Sequence, residues 1–500
     1  MEDIESLPDD PAALKRLLLA ERQTAKERIA YLEEQFRLAM QRAYGSKTEG
    51  HPAQGDLFNE AESVAEQGDT STEQISYERK KPTRKPLPAE LPRERVVHDI
   101  ADEDKVCDCC GGDLHQMGED KSEQLEYIPA KVKVIEHVRP KYSCRHCEQT
   151  GTEVNIKQAP VPASPIPKSF ATPSLLAQVI SHKFHYGLPL YRQETVFKQH
   201  GIELSYKTMS SWVLRCADLL KPVYERLQAE LLQQSAIQAD ETPIKVIDED
   251  KAKCYMWVYC TGSDSPKTNS LLPNIVLYDY QASRAGACVI DYLKGYQGYL
   301  QCDGYAGYEQ TQATLVGCMA HARRRFMDAK KAAKAKSGKA DMALNLFQQL
   351  YNIERTIKDN NAGDKRQVRQ SKAIPILNKL KAYLDKSVTQ TLPKTTLGEA
   401  ISYTLKQWPK LTRYVEEGNL NIDNNRAERA VKPFVIGRKN WLFAKTSNGA
   451  TSSAILYSLV ETAKANNLMP FDYLHHVLKE LPSRHPETAI DDLLPWNVSL

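Results

Sequence analysis

No run of about 18 consecutive apolar residues occurs in this 500-residue chain, so a membrane-spanning helix is not expected. The opening residues, MEDIESLPDDPAALKR, are acidic and lack the apolar core of a secretory leader. The protein is therefore expected to be cytoplasmic, where thiols stay reduced. Charge of one sign is also lacking: 67 basic residues against 64 acidic ones leave a net +3. That balance does not announce a nucleic-acid binder, so charge has to be read locally. No internal repeat is present, which sets aside solenoids and repeat arrays. What is present, 41% hydrophobic and 26% charged residues, supports sizeable cores and argues against wholesale disorder. Length alone suggests about three or four units.

Residues 12–44 are predicted to be helical. Leu18, Arg22, Ala25, Ile29, Leu32, Phe36, Ala39 and Ala43 form a seam spaced alternately by four and three, broken only by Arg22. This is the pattern of a short coiled coil, and self-association is favoured over packing on the same chain. Residues 45–95 read as a linker. Its second part, RKKPTRKPLPAELPRER, is basic and punctuated by proline. Arg79, Lys80, Lys81, Arg84 and Lys85 would project from an extended arm suited to DNA phosphates. A merely solvated linker fits equally well.

Residues 96–160 hold a cysteine cluster. Cys107 and Cys110 form one C-x-x-C, and Cys144 and Cys147 another. In a reducing compartment such a pair of knuckles describes a four-cysteine zinc ribbon, a closed and therefore structural Zn2+ site. Cys109 and His146 are spare donors ranked below the four. Residues 170–235 are predicted to be helical, with an apolar stripe of Leu175, Val179, Phe184 and Leu188. YRQETVFKQHGIELSYKTMSSWVLRCADLL then reads as helix, Gly201 turn and second helix opened by Ser205. That is the outline of a helix-turn-helix offering Lys207, Thr208, Ser210 and Ser211 to DNA. A plain helical hairpin has the same outline.

After residue 235 the texture changes. SAIQADETPIKV, KCYMWVYCTG and NIVLYDYQASR read as strands, AGACVIDYLKGY as a helix, and GYLQCDGYAGY and TLVGCMAH as two further strands. The order implies a mixed sheet in a multidomain α+β chain. Residues 322–415 read as helical. Asp240 and Asp303 are expected to close neighbouring strands, which would set two carboxylates side by side at a sheet rim. Like charges that close repel unless a cation lies between them. A pair of divalent metals about 4 Å apart would serve. Glu428, on a helix opened near Asp423 and Asn424, is the best third ligand, and Asp423 is the runner-up. Basic residues gather nearby: Arg323, Arg324 and Arg325 in one group, Lys432, Arg438, Lys439 and Lys445 in another. Arg438 and Lys439, beside Trp441 and Phe443, are the expected DNA contacts.

ADETPIKV, QCDGYAGY and DNNRAERAVKPFVIGRKNWLF together resemble the acidic blocks of the insertion-sequence 66 family of bacterial transposases. The likeness extends over nearly the whole chain. The helix before RAYGSKTEG resembles the family's zipper segment. CDCCGGDLHQMGEDKSEQLEYIPAKVKVIEHVRPKYSCRHC resembles its zinc-binding segment, and ILYSLVETAKANN its C-terminal one. The resemblance implies a DDE triad of Asp240, Asp303 and Glu428 on an RNase H-like α/β core spanning 236–460. A helical insertion at about 330–415 would separate Asp303 from Glu428, and residues 461–500 would form a C-terminal segment. GCMAHARRRF resembles a C-x-x-H signature of related transposases, here Cys318 and His321; a packed strand end and assistance at the active site both stand open for it. Met319 replaces an expected Trp there, and RAYGSKTEG departs from an expected Phe-Gly. Neither touches the triad.

The reaction implied by the resemblance is two-metal phosphoryl transfer on DNA with Mg2+ or Mn2+, cutting element ends and joining them to target DNA. The implied partners are terminal-repeat and target DNA, a second protomer or more, and accessory proteins encoded by the element. The alternatives are a metal-dependent nuclease without strand transfer and a non-catalytic, zinc-containing DNA-binding protein.

Overall fold

A computed structural model describes residues 10–44, 95, 132–143, 156–251, 253–262, 273–333, 338–485 and 487–500. The chain divides into two compact units, Gln67–Ala159 and Met1–Glu66 with Pro160–Leu500. In the smaller unit, Lys141–Tyr142 pairs antiparallel with Lys157–Gln158. Arg139 Nε donates to Ala159 O at 2.8 Å, and Gln158 Nε2 donates to Arg139 O at 2.9 Å. Arg84, Lys85, Cys107, Cys110, Cys144 and Cys147 lie outside the described residues.

In the larger unit, α1 spans Pro11–Tyr44. Asp10 starts it: its carboxylate accepts from Ala12 N at 3.2 Å and Ala13 N at 3.0 Å. The seam residues Leu18, Ile29, Leu32 and Phe36 are at least half exposed. An apolar stripe of this period left in water is a surface that a second helix would cover.

The five-stranded sheet comprises β1 (Ala236–Ile244), β2 (Cys254–Thr261), β3 (Ile275–Gln281), β4 (Tyr299–Gln301) and β5 (Thr314–Val316), in spatial order β3-β2-β1-β4-β5. The first three form an antiparallel meander, while β4 runs parallel to β1 and β5 parallel to β4. The crossover from β3 to β4 contains α5 (Gly286–Tyr292). The mixed sheet and the strand–helix order agree with the sequence. The expected strand TLVGCMAH stops at Val316 instead. Its parallel partner β4 ends at Gln301, and Cys318 is already the N-cap of α6 (Met319–Ala332).

Before the sheet come α2 (Pro173–Phe184), α3 (Leu190–Gln199) and α4 (Tyr206–Leu232). Gly201 turns the chain with φ +75°, and Ser205 caps α4 by accepting from Thr208 N at 3.2 Å. Beyond its first turn α4 is a core helix, burying Trp212, Cys216, Leu220, Val223, Leu227 and Leu231. After the sheet come α11 (Asn425–Trp441), α12 (Ser447–Ala465) and α13 (Pro470–Glu480). Strand β3 is a sheet edge, and α12 closes it. Thr462 Oγ1 accepts from Val276 N at 3.1 Å and donates to Val276 O at 2.8 Å, while Ser458 Oγ accepts from Tyr278 N at 2.7 Å. Hydroxyls four apart on one helix thus satisfy backbone groups that would otherwise template aggregation.

Helices α7 (Lys339–Thr356), α8 (Ala362–Val368), α9 (Ile374–Val388) and α10 (Thr396–Leu411) lie between α6 and α11. Together with α6 they have a hydrophobic core of their own, built on Phe326, Phe347, Leu350, Leu380, Leu384 and Ile401. Arg369, in a π turn joining α8 to α9, is 2% exposed. It meets the Glu354 carboxylate at 2.9 and 2.6 Å and donates to Tyr414 O at 3.1 Å and Glu417 O at 3.0 Å.

Candidate active site

The parallel register pairs Gln238 of β1 with Gln301 of β4. Two residues further along each chain stand Asp240 and Asp303. Side chains two apart share a face, and neighbouring strands lie about 4.8 Å apart, so the register carries the two carboxylates abreast. Asp240 is not at the end of its strand as expected. It lies mid-strand, paired with Val258, because the hairpin with β2 continues to Ile244 after the parallel partner has stopped. Asp240 Oδ1 accepts from Glu241 N at 2.9 Å, and Asp303 Oδ1 from Tyr305 N at 2.8 Å. The second bond is an Asx turn that holds the carboxylate at the mouth of β4.

Glu428 sits in the first turn of α11 and is 4% exposed. Four hydrogen bonds fix the start of that helix. Asn424 Nδ2 donates to Ala239 O of β1 at 2.8 Å, and Asn424 N to Cys318 Sγ at 3.2 Å. Met319 N donates to Ile422 O at 3.1 Å, and Gln301 Nε2 to Asn421 O at 2.6 Å. Residues bordering Asp240, Asp303 and His321 therefore all hold the loop that delivers Glu428. Asp423, the runner-up ligand, is engaged elsewhere: its carboxylate accepts from Tyr351 Oη at 3.0 Å and Asn425 N at 3.2 Å.

Burial pushes the Asp240 carboxyl well above the usual carboxylate range, with Glu241, Glu428 and Asp303 adding like-charge repulsion. A buried cluster of this kind calls for a cation. Asn424 Oδ1 is buried beside it and makes no hydrogen bond. Carboxylate oxygens suit a hard divalent ion.

Glu241 went unnoticed in the sequence. Its side chain is 3% exposed. The carboxylate accepts from Arg284 Nε at 2.8 Å and from Tyr308 Oη at 2.6 Å. Arg284 in turn lies 3.9 Å from the centre of the Tyr305 ring. Burial is again the chief influence, raising the Glu241 carboxyl, opposed by the Tyr308 hydroxyl and the Arg284 guanidinium. The adjacent acids in ADET were visible, but their partners lie 43 and 67 residues away.

The basic residues divide. Arg323 is buried, Arg325 lies 4.1 Å from the Tyr403 ring centre, and Arg324 Nη2 approaches Glu428 Oε2 at 3.7 Å. Lys207 is exposed at the start of α4, and Lys439 is exposed on α11. Arg438 is partly buried, with Nη1 donating to Thr242 Oγ1 at 3.4 Å.

In this mixed α/β unit Glu428 is buried, and Asp240 and Asp303 are half-buried beside the parallel strands β1 and β4. The profile described as "Transposase IS66 family" matches residues 168–452, and the chain belongs to that family. "Zinc-finger binding domain of transposase IS66" matches 104–148, "IS66 C-terminal element" 458–496, and "Transposase C of IS166 homeodomain" 31–96. The zipper, zinc-binding, catalytic and C-terminal segments read from the sequence are thus all represented. The chain is 33% identical to the uncharacterized protein y4hP of Sinorhizobium fredii (strain NBRC 101917 / NGR234) over 503 residues, covering 97% of this chain and 87% of the other. It is 34% identical to the uncharacterized protein y4jD of the same strain over 425 residues, covering 82% and 81%. No solved structure matches the chain. Membership implies a transposase-type enzyme with DNA as partner, a divalent metal and zinc. No described helix is long and apolar enough to cross a membrane.

Proposed function

We propose that this chain is a DDE transposase of a bacterial insertion sequence, with Asp240, Asp303 and Glu428 as the acidic triad on an RNase H-like core. The observation that carries the reading is the parallel pairing of Gln238 with Gln301, each two residues before an aspartate, together with the Asn424–Ala239 hydrogen bond at the start of α11. The strand order, an antiparallel meander with its first strand central and two parallel strands added beyond it, supports the RNase H-like assignment.

Two magnesium or manganese ions held there would activate the attacking oxygen and stabilise the leaving one. The residues supply the rest. Asp240, Asp303 and Glu428 act as ligands, not as nucleophiles. The Glu241 and Tyr305 N–H groups orient the two aspartates. Arg284 and Tyr308 balance Glu241, which keeps a further negative charge from competing at the site. Lys207, Arg438 and Lys439 on the larger unit, and Arg84 and Lys85 on the arm, contact DNA phosphates. Cys107, Cys110, Cys144 and Cys147 hold a structural zinc ion. The exposed seam of α1 pairs two protomers, matching the two ends of one element.

The test uses labelled element-end DNA and magnesium, comparing wild type with Asp303→Asn. The wild type is expected to cut and to join, and the variant to do neither. Equal activity in both would overturn the triad. Cutting without joining, even from pre-cut ends, would make the protein a nuclease.

A further inference from the structure

Cys318 caps α6, His321 follows in its first turn, and Glu428 lies in the first turn of α11. One donor atom from each, a sulfur, a nitrogen and an oxygen, all lie within 4.8 Å of one another. The sulfur already accepts a backbone N–H group, from Asn424 at 3.2 Å. Backbone donors of this kind orient a metal-bound thiolate and share its charge. His321 Nδ1 is buried and makes no hydrogen bond. Packing alone would leave that nitrogen unsatisfied. It stands 3.6 Å from Glu428 Oε1. Bonds of about 2.0–2.3 Å to a tetrahedral zinc place its donors roughly 3.3–3.8 Å apart. One pair of donors therefore already has the spacing of a zinc site, and the sulfur needs to close by about an ångström at most. The other carboxylate oxygen, Oε2, faces Arg324 at 3.7 Å.

We propose that Cys318, His321 and Glu428 form a second site for a zinc-type cation, separate from the four-cysteine set, whose occupancy withholds Glu428 from the acidic triad. The donor chemistry selects the ion: thiolate and imidazole favour zinc over magnesium, which seeks oxygen alone. Three protein ligands leave a fourth position open to water or a phosphate oxygen. The binding half of the proposal rests on geometry, and the inhibitory half rests on Glu428 being a member of the triad.

Full-length protein stripped of metal is titrated with cobalt(II), whose thiolate charge-transfer band and visible bands report the ligand set. Wild type is expected to bind one equivalent more than Cys318→Ser, and one more than His321→Gln. Serine keeps an acceptor for the Asn424 N–H group, and circular dichroism checks that each variant is folded. Equal cobalt stoichiometry in wild type and both variants overturns the site. Added zinc is then expected to lower magnesium-supported DNA cleavage by wild type about tenfold or more, with both variants resistant. An extra cobalt equivalent without zinc inhibition overturns the inhibitory half. Absence of any wild-type cleavage would sink the proposed function, while cobalt stoichiometry would still decide the site.

Discussion

The sheet unit and the helical insertion bury polar groups in different ways. Around the sheet, Asp240, Glu241 and Glu428 draw together as like charges, and burial works against ionisation at Asp240 and Glu241. In the insertion, the buried charge of Arg369 is met by Glu354 and by carbonyls from 414 and 417. The first arrangement is poor for stability and suited to holding a cation. The second is complete in itself and holds the chain leading toward Glu428. Like charges drawn together around the sheet thus contrast with the opposite-charge pairing of Arg369 and Glu354.

Breaking the complete network carries the largest expected effect. Arg369→Met leaves Glu354 and three backbone carbonyls without their cation, and is expected to cost about 3–5 kcal/mol. Urea unfolding measures this, with loss concentrated in the insertion. Asp240→Asn is the converse. It removes a repelled charge, so the thermal midpoint in metal-free buffer is expected to rise, while cleavage falls by about a hundredfold or more. A variant that loses stability along with activity would contradict the view that this carboxylate is held against its neighbours. Thr462→Val keeps the shape of the side chain but abandons Val276 N and O at the sheet edge, for an expected loss of about 1–3 kcal/mol by urea unfolding. Lys207→Ala is the mildest. Folding should be unchanged, and the slope of log affinity for element-end DNA against log salt should fall by about 1. An unchanged slope would remove the start of α4 from the DNA-binding surface and leave α3 and α4 as a plain helical hairpin.

Much of this was legible along the chain. The strands around Asp240 and Asp303 announced themselves through β-branched and aromatic runs. The helix α1 showed in its spacing. The motif blocks carried the family likeness. The missed features all depend on partners distant in sequence. ADET shows two acids, but nothing local says that Glu241 meets Arg284 and Tyr308. GCMAH reads as the end of a strand until β4 stops at Gln301 and leaves β5 no further partner. Ser458 and Thr462 look like ordinary helix positions until β3 is found to be the sheet edge they close.

The sequence by itself determined the composition of each block, the helical or extended period of most elements, and the candidate ligands, because those depend on side-chain type and local spacing. Only the tertiary structure decided which acids lie near one another. The parallel register of β1 with β4 carries Asp240 level with Asp303 across 63 positions of chain. The hydrogen bonds of Asn424 and Gln301 then bring the helix of Glu428 back to them after the whole insertion has intervened. The physical reason is that register and long-range closure are fixed by pairing between distant backbones, a quantity that no window of local sequence contains.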